Sequence, residues 1–228
     1  MPNADKDGQP KARLSREALV TSAIALADTE GLEAVTVRRL AQQHSVAPTS
    51  LYWHFRDKER LLDGIAEHLL QQVEVPEHPD GDWPEQLRDI LARIVVVLRA
   101  HPAAAQLIPT RLLASPAGLA VTDRTLALLK EAGLPAERIA GTAMFLLGAV
   151  VSMIAAEPGR QLPQDKEERE DAVRVKRALL SALPPRNLPV VVSFADHLCD
   201  CADPDTYYDF NLDVLVAGIA RMAATPSR

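Results

Sequence analysis

Residues 36–55 constrain the fold of this chain more than any other stretch, because they combine two short amphipathic helical patterns with a tight break between them. In the first pattern, the residues that share one helical face are Val37, Leu40, Ala41 and His44. Thr36 stands just before them as a candidate N-cap. In the second pattern, Leu51 and Phe55 are four residues apart and can share a buried side, while Trp53 points away from it.

The second helix therefore carries a large indole on its solvent side. The same surface holds the other polar and aromatic side chains of the segment: Thr49, Ser50, Tyr52 and His54. Groups of this kind suit phosphate oxygens, sugars and base edges. If Tyr52 and Trp53 were instead core residues of a helix buried on all sides, the polar members would lack partners. We therefore interpret residues 48–55 as the recognition helix of a helix-turn-helix DNA-binding motif.

Two sequence runs in this region are distinctive: T-x-R-x-L-A at residues 36–41, and S-L-Y-W-H-F at residues 50–55 followed by the basic Lys58. Through them, residues 14–70 resemble the DNA-binding end of the tetracycline-repressor (TetR) family. The chain departs from the family at Ser45, where the family has a glycine in the turn. More loosely, the rest of the chain is similar to the tetracycline-repressor-like C-terminal subclass through Asp82-Trp83, Thr110-Arg111 and the closing helix at residues 208–222.

The resemblance implies an all-α fold, with a three-helix DNA-binding head and a larger helical body for ligand binding and dimerisation. In the head it implies phosphate anchors at Thr36 and Lys58, joined by Tyr52 and His54. The residues expected to meet base edges or thymine methyl groups are Arg38, Pro48, Thr49, Ser50 and Trp53. Two such heads, about one DNA turn apart, would enter successive major grooves of a palindromic double-stranded operator.

The charge distribution agrees with a DNA-reading head on an acidic body. The net charge is −6, but residues 1–60 hold nine Lys/Arg against eight Asp/Glu, so the acidity belongs to the remainder. Such a protein should bind DNA weakly without sequence recognition and strongly only when two heads act together. Dimerisation is therefore part of the functional hypothesis.

We expect residues 1–12 to form a disordered tail, residues 13–60 the helix-turn-helix domain, and residues 61–228 the ligand-binding and dimerisation domain. A helix predicted at residues 57–73 begins at the reading head and ends against the body, so we expect it to couple the two. The P-V-V-V-S-F run at residues 189–194 has strand-like propensity but no partner strand, and is assigned to a helix start or a loop.

Periodicity and proline positions predict the helices of the body at residues 86–100, 135–157, 171–183 and 204–224, with shorter segments at 103–113 and 116–132. A charged, mobile loop is expected at residues 158–170. No uninterrupted run of about 18 apolar residues and no apolar leader are seen, which predicts no membrane span, no signal peptide and a cytoplasmic location.

The helices at 135–157 and 204–224 mix small residues with large apolar ones, which permits close contact between helices. In the resembling family the corresponding helices build a four-helix bundle across a two-fold axis, which implies a homodimer. The alternative is that the two helices pack only within one subunit.

Catalytic motifs are not found: the sequence lacks G-x-S-x-G, H-E-x-x-H, a P-loop and a dinucleotide fingerprint, so we do not expect an enzyme or a cofactor. An H-x-C-x-C run places His197, Cys199 and Cys201 close together. It could ligate a soft metal or act as a thiol switch, but a fourth metal ligand would have to come from elsewhere. A metal or redox sensor of the same fold is thus the alternative function, against two buried or idle thiols.

A small-molecule inducer is expected in an apolar cavity of the body. Candidate apolar residues are Ile90, Leu91, Ile94, Leu112, Met144 and Phe145, and candidate polar residues that orient the ligand are His101, Gln106, Thr110 and Arg111. In the resemblance, the amide that grips tetracycline and the histidine that ligates its magnesium correspond to Ile90 and Leu107. We therefore expect an apolar or amphipathic inducer other than magnesium-tetracycline.

Overall fold

The computed structural model describes residues 14–77, 80–199 and 203–224, so the predicted tail at 1–12 and the predicted thiol at Cys201 lie outside the described residues. Within them the fold is all-α, as predicted, and no strand is present. The head contains α1 (Arg16–Glu30), α2 (Val37–Gln43), α3 (Pro48–Leu51) and the start of α4 (Lys58–Gln71). The body contains α5 (Trp83–Arg99), α6 (Pro102–Ala105), α7 (Ile108–Arg111), α8 (Pro116–Glu131), α9 (Ala136–Ala155), α10 (Lys166–Ser181), α11 (Pro189–Ser193), α12 (Ala195–Cys199) and α13 (Pro204–Ala223).

Local sequence signals set the boundaries of the head helices. The hydroxyl of Ser15 accepts a hydrogen bond from the backbone of Ala18 and caps α1, which ends at Gly31 with a φ of 84°. Thr36 caps α2 in the same way as Ser15 caps α1. Ser45, in the turn between α2 and α3, has a φ of 53°, a left-handed conformation in which a side chain costs energy. The expected turn therefore forms with serine where the family has glycine.

Helix α4 belongs to the head and to the body at once. It begins at the N-cap Asp57, whose carboxylate accepts from the backbone of Arg60. Its apolar side packs against α1 of the head and against α5 and α8 of the body. Gly64 lets the ring of Phe55 come close, since an added Cβ would lie 3.0 Å from Phe55 Cε1. Because one continuous core runs through α4, a movement of the body can reach the head.

Helix α5 lies at the centre of the body and packs against α8, α9 and α13. It begins at Trp83, three residues before the predicted start, because Asp82 and Glu85 form a reciprocal capping box. Arg88 holds α13 to α5 through ion pairs with Asp209 at 2.9 Å and Asp213 at 2.6 Å.

Helix α9 matches the predicted long apolar helix, and the other described helices cover only one side of it. Its inner side is buried, while Phe145 is 61% exposed and lies on a stripe with Gly141, Met144 and Gly148. By length and mean hydropathy alone α9 could cross a membrane, a test that the core helix of a water-soluble bundle passes equally. The stripe is therefore a surface without a partner in the described part of the chain.

The structure corrects the predicted start of one helix and confirms the assignment of residues 189–194. Helix α10 begins at Lys166, where Asp165 caps it, so the predicted loop is shorter and the helix starts five residues earlier than residue 171. The strand-like run that begins at Pro189 forms the short helix α11, one of the two assignments made from the sequence. Helices α10, α11 and α12 pack mainly against each other.

Candidate nucleic-acid interface and ligand cavity

The second helix of the motif presents Trp53 to solvent, as the sequence predicted. Trp53 is 91% exposed, whereas Leu51 and Phe55 are buried. Regular helix ends at Leu51 rather than at residue 55, because Asp57 must be extended to cap α4. The backbone N–H groups of His54 and Phe55 both donate to the Leu51 carbonyl at 2.9 Å, which keeps the chain curled and the indole outside.

The other predicted DNA-binding residues lie around this indole and along the start of α2 and α4. Pro48, Thr49, Tyr52 and Arg38 are exposed, and Ser50, His54, Thr36 and Lys58 are partly exposed. Thr36 already uses its hydroxyl oxygen to accept from the backbone of Arg39. The Lys58 ammonium donates to the Leu32 carbonyl at 3.4 Å. These assignments to phosphates and bases stay predictions, since no DNA is present.

A narrow apolar cavity of about 20 Å³ lies between α5, α8 and α9. Its lining residues are Leu91, Ile94, Leu112, Val121, Thr122, Thr125, Ala143, Met144, Leu146 and Leu147. Of the predicted ligand-binding residues, Leu91, Ile94, Leu112 and Met144 lie here. The polar groups that the sequence analysis missed are Thr122 and Thr125. Both hydroxyls donate to carbonyls of their own helix, at 2.7 and 2.8 Å, which leaves their oxygens able to accept.

Two polar side chains that were expected to bind the inducer instead join the body to the head. His101 Nδ1 lies 2.7 Å from the Asp28 carboxylate of α1. Arg111 contacts Glu59 at 2.6 Å and Asp63 at 3.2 Å, both on α4. The structure does not bring either side chain to the cavity.

The remaining predicted ligand-binding residues also lie away from the cavity. Ile90 is buried in the core beside it, Gln106 is exposed, and Phe145 is on the outer stripe of α9. The Thr110 hydroxyl donates to the Leu107 carbonyl at 3.2 Å. Sequence spacing could place these residues on helices but could not show which side of each helix the neighbouring helices would cover.

The predicted thiol site is only partly described. Cys199 is buried, and the His197 ring lies 5.8 Å from that of Phe194, centroid to centroid. Among residues 14–77, 80–199 and 203–224, no group of three potential ligands is placed to hold a metal ion. Cys201 and Asp200 fall outside these ranges, so the sensor alternative stays a prediction.

A cluster of aromatic and charged groups joins the ends of α9 and α13. The buried Tyr208 hydroxyl donates to the Glu157 carboxylate at 2.6 Å, and Arg160 contacts the same carboxylate at 2.5 Å. Burial raises the pKa of Tyr208, and the hydrogen bond to Glu157 raises it further. Tyrosine is therefore held neutral, and this cluster fixes how α13 packs on α9.

Comparison with known proteins identifies the family. Residues 19–65 match the sequence family described as bacterial regulatory proteins, tetR family, and residues 75–223 match the tetracyclin repressor-like, C-terminal domain. The chain is 27% identical over 219 residues to an HTH-type transcriptional regulator of Saccharopolyspora erythraea, covering 96% of this chain and 90% of that protein. It is 28% identical over 220 residues to the tetracycline repressor protein class C of Escherichia coli, covering 93% of this chain and 94% of that protein.

Among solved structures, the TetR family protein ActR of Streptomyces coelicolor, in complex with actinorhodin, superposes with a TM-score of 0.78 at 28% identity. The match covers 94% of this chain and all of that one. These relatives are transcriptional regulators and not enzymes. The chain therefore belongs to the TetR family of helix-turn-helix transcriptional regulators.

Proposed function

We propose that this protein is a homodimeric transcriptional repressor that binds a palindromic operator and is released from it by a small apolar or amphipathic ligand. The main support for the proposal is that the indole of Trp53 is exposed on a helix-turn-helix whose other side is packed in the core. Leu51 and Phe55 anchor the segment from below, so the indole is fixed in an outward orientation. A side chain of this size stays uncovered at a cost that contact with a DNA groove would remove.

The proposed dimer interface consists of the unpartnered stripes of α9 and α13. The exposed or partly exposed apolar and small residues of these stripes are Gly141, Met144, Phe145 and Gly148 on α9, and Phe210, Val214, Ala217, Gly218 and Met222 on α13. A Cβ added at Gly141, Gly148 or Gly218 would meet nothing within 4 Å in its own chain. Two apolar stripes that carry glycines permit close approach by a second copy, which would make a four-helix bundle.

The inducer in this proposal occupies the cavity between α5, α8 and α9. The walls are apolar apart from Thr122 and Thr125, whose free acceptor capacity favours a ligand that carries a hydroxyl or amine donor. The relative ActR is known in complex with actinorhodin. Ile90 and Leu107 are buried and apolar, so they offer neither an amide for tetracycline nor an imidazole for magnesium. This favours an inducer other than magnesium-tetracycline.

The DNA-binding part is tested with duplexes selected from a random pool by the full-length protein. Trp53→Ala and Tyr52→Ala should each lower the affinity for the selected duplex by at least about tenfold, a loss of roughly 1.4 kcal/mol. The matched control is Val96→Ala, since Val96 is an exposed apolar residue on α5, away from the head. Sedimentation equilibrium and circular dichroism should give the same mass and helicity for all variants. Undiminished binding by Trp53→Ala would contradict the proposed reading surface.

The ligand part is tested by a thermal-shift screen of aromatic and polycyclic compounds, followed by titration of the protein–duplex complex with each hit. Ala143→Leu should fill the cavity and abolish the thermal shift, because Ala143 lies on its wall. The control is Ala120→Leu, at an exposed position of α8. A hit that still binds Ala143→Leu with unchanged affinity would show that the inducer site lies elsewhere.

A further inference from the structure

Three carboxylates stand one helical turn apart along a single face of α4: Glu59, Asp63 and Glu67. All three contact a five-residue segment of the body, residues 111–115. Arg111 Nη2 lies 2.6 Å from Glu59 Oε2, and Arg111 Nε lies 3.2 Å from Asp63 Oδ1. The Ser115 hydroxyl donates to the Glu67 carboxylate. The body therefore engages three successive turns of the helix that carries the head.

Arg111 differs from an ordinary surface arginine in its burial. Its side chain is only 14% exposed, and its Nε is screened from solvent without forming a hydrogen bond of good geometry. The contact of Nε with Asp63 is therefore electrostatic. An arginine that is this enclosed has given up most of its hydration, so losing its two carboxylate partners would be costly. Exposed ion pairs, in contrast, contribute little.

The segment between Arg111 and Ser115 is also a wall of the ligand cavity. Leu112, which begins a 3-10 turn ending at Ala114, lines that cavity. Its carbonyl packs so closely on Gly118 that a Cβ there would lie 2.1 Å from the oxygen. The backbone of Gly118 donates to the Ser115 hydroxyl, so the first turn of α8 holds the segment from the other side. A displacement of Leu112 away from the cavity would therefore act on the short backbone segment that carries Arg111 and Ser115.

We propose that Arg111 and Ser115 are positioning residues that fix the orientation of the reading head through Glu59, Asp63 and Glu67. They convert a displacement of Leu112 into a movement of α4. This inference rests on the proposed function and adds the residues through which the cavity controls the head. In this proposal the orientation that residues 111–115 hold is the DNA-binding one, since a cavity of about 20 Å³ has no room for a ligand.

The test uses the full-length protein and the duplex selected from a random pool. Arg111→Met should weaken duplex binding roughly five- to tenfold, within the usual range of allosteric coupling. The slope of log affinity against log salt should not change, since no phosphate contact is lost. Arg111→Lys should restore part of the affinity, because one ammonium can serve one carboxylate at a time. An equal affinity of Arg111→Met and wild type would overturn the proposal, and so would a flatter salt slope, which would make Arg111 a DNA contact.

The matched control is Arg88→Met. Arg88 also bridges two carboxylates one turn apart on a facing helix, Asp209 and Asp213, but both lie within the body. Arg88→Met should leave duplex affinity unchanged. If it lowered duplex affinity as much as Arg111→Met does, the effect of Arg111→Met would reflect a general loss of stability and not a clamp on α4. If Arg111→Met does not fold, the double variant Glu59→Gln with Asp63→Asn removes the same contacts from the more exposed side and should give the same loss. If wild type binds no duplex, the proposed function fails rather than the clamp alone.

Discussion

Gly118, in the first turn of α8, gives the sharpest stability test of this structure. A Cβ at this position would lie 2.1 Å from the Leu112 carbonyl oxygen and 2.9 Å from its carbon, and both are backbone atoms that cannot rotate away. The Leu112 carbonyl also accepts from the backbone of Ser115 at 3.4 Å. Gly118→Ala therefore forces the 3-10 turn away from α8 and weakens the contact that closes the cavity wall.

Two opposing effects determine how much Gly118→Ala changes the free energy of unfolding. Alanine in place of glycine within a helix gains about 0.5–1 kcal/mol of unfolding free energy. Overpacking costs about 1–3 kcal/mol, and the upper end applies here because the turn must withdraw by roughly 1 Å against a backbone oxygen. Steric exclusion wins, so Gly118→Ala should lower the free energy of unfolding by about 2 kcal/mol. Without the clash the same substitution would raise it.

Urea unfolding followed by circular dichroism measures this difference, with all variants at one protein concentration because a dimer's stability depends on it. Ala120→Gly is the control, since Ala120 is exposed on the same helix and reports the propensity term alone. It should lose about 0.5–1 kcal/mol. A Gly118→Ala variant that is as stable as wild type, or more stable, would refute the close packing of α8 on Leu112.

Three further predictions concern the turn, the dimer and the buried tyrosine. Ser45→Gly should raise the free energy of unfolding in urea by up to about 1 kcal/mol. The strain of a side chain at positive φ is removed, and this gain exceeds the entropy that glycine adds to the unfolded chain; a decrease would contradict the left-handed turn. Gly141→Ala should stabilise an isolated chain slightly yet weaken the proposed dimer in sedimentation equilibrium, and an unchanged dimer would place the interface elsewhere. Tyr208 has a raised pKa in the fold, so its stabilisation is complete below the ordinary tyrosine pKa of about 10 and is lost as pH rises above it. Tyr208→Phe should destabilise at neutral pH by about 1–2 kcal/mol and lose less than wild type above pH 10, and parallel pH profiles would contradict the neutral, hydrogen-bonded tyrosine.

The head could be predicted from sequence because its signals are local. Thr36 and Asp57 are caps that act within three residues, and the orientation of Trp53 follows from the four-residue spacing of Leu51 and Phe55. The turn at Ser45 was identified by its place between two helical patterns even though the residue is not glycine. In each case residues within about four positions of each other determine the local structure.

The cavity and the clamp could not be predicted in the same way, because they depend on how distant helices meet. Thr122 and Thr125 look like ordinary residues of an amphipathic helix until α5 and α9 cover the same side. The sequence analysis assigns Arg111 to the ligand as one of the few polar groups of the predicted cavity, whereas the structure pairs it with Glu59, 52 residues away. The start of α5 at Trp83, in contrast, can be predicted from the sequence, because Asp82 and Glu85 have the spacing of a capping box.

The small size of the cavity bears directly on how a ligand could release DNA in the proposed function. A volume of about 20 Å³ holds about one water molecule, whereas ligand sites usually measure about 300–1,000 Å³. A polycyclic compound therefore cannot enter this form unless residues that line the cavity move. A ligand shifts a conformational equilibrium only by its differential affinity for the two states. Since this form excludes the ligand, the proposal requires that nearly all of the binding free energy favour an open form, in which Arg111 and Ser115 no longer hold α4 in the DNA-binding orientation.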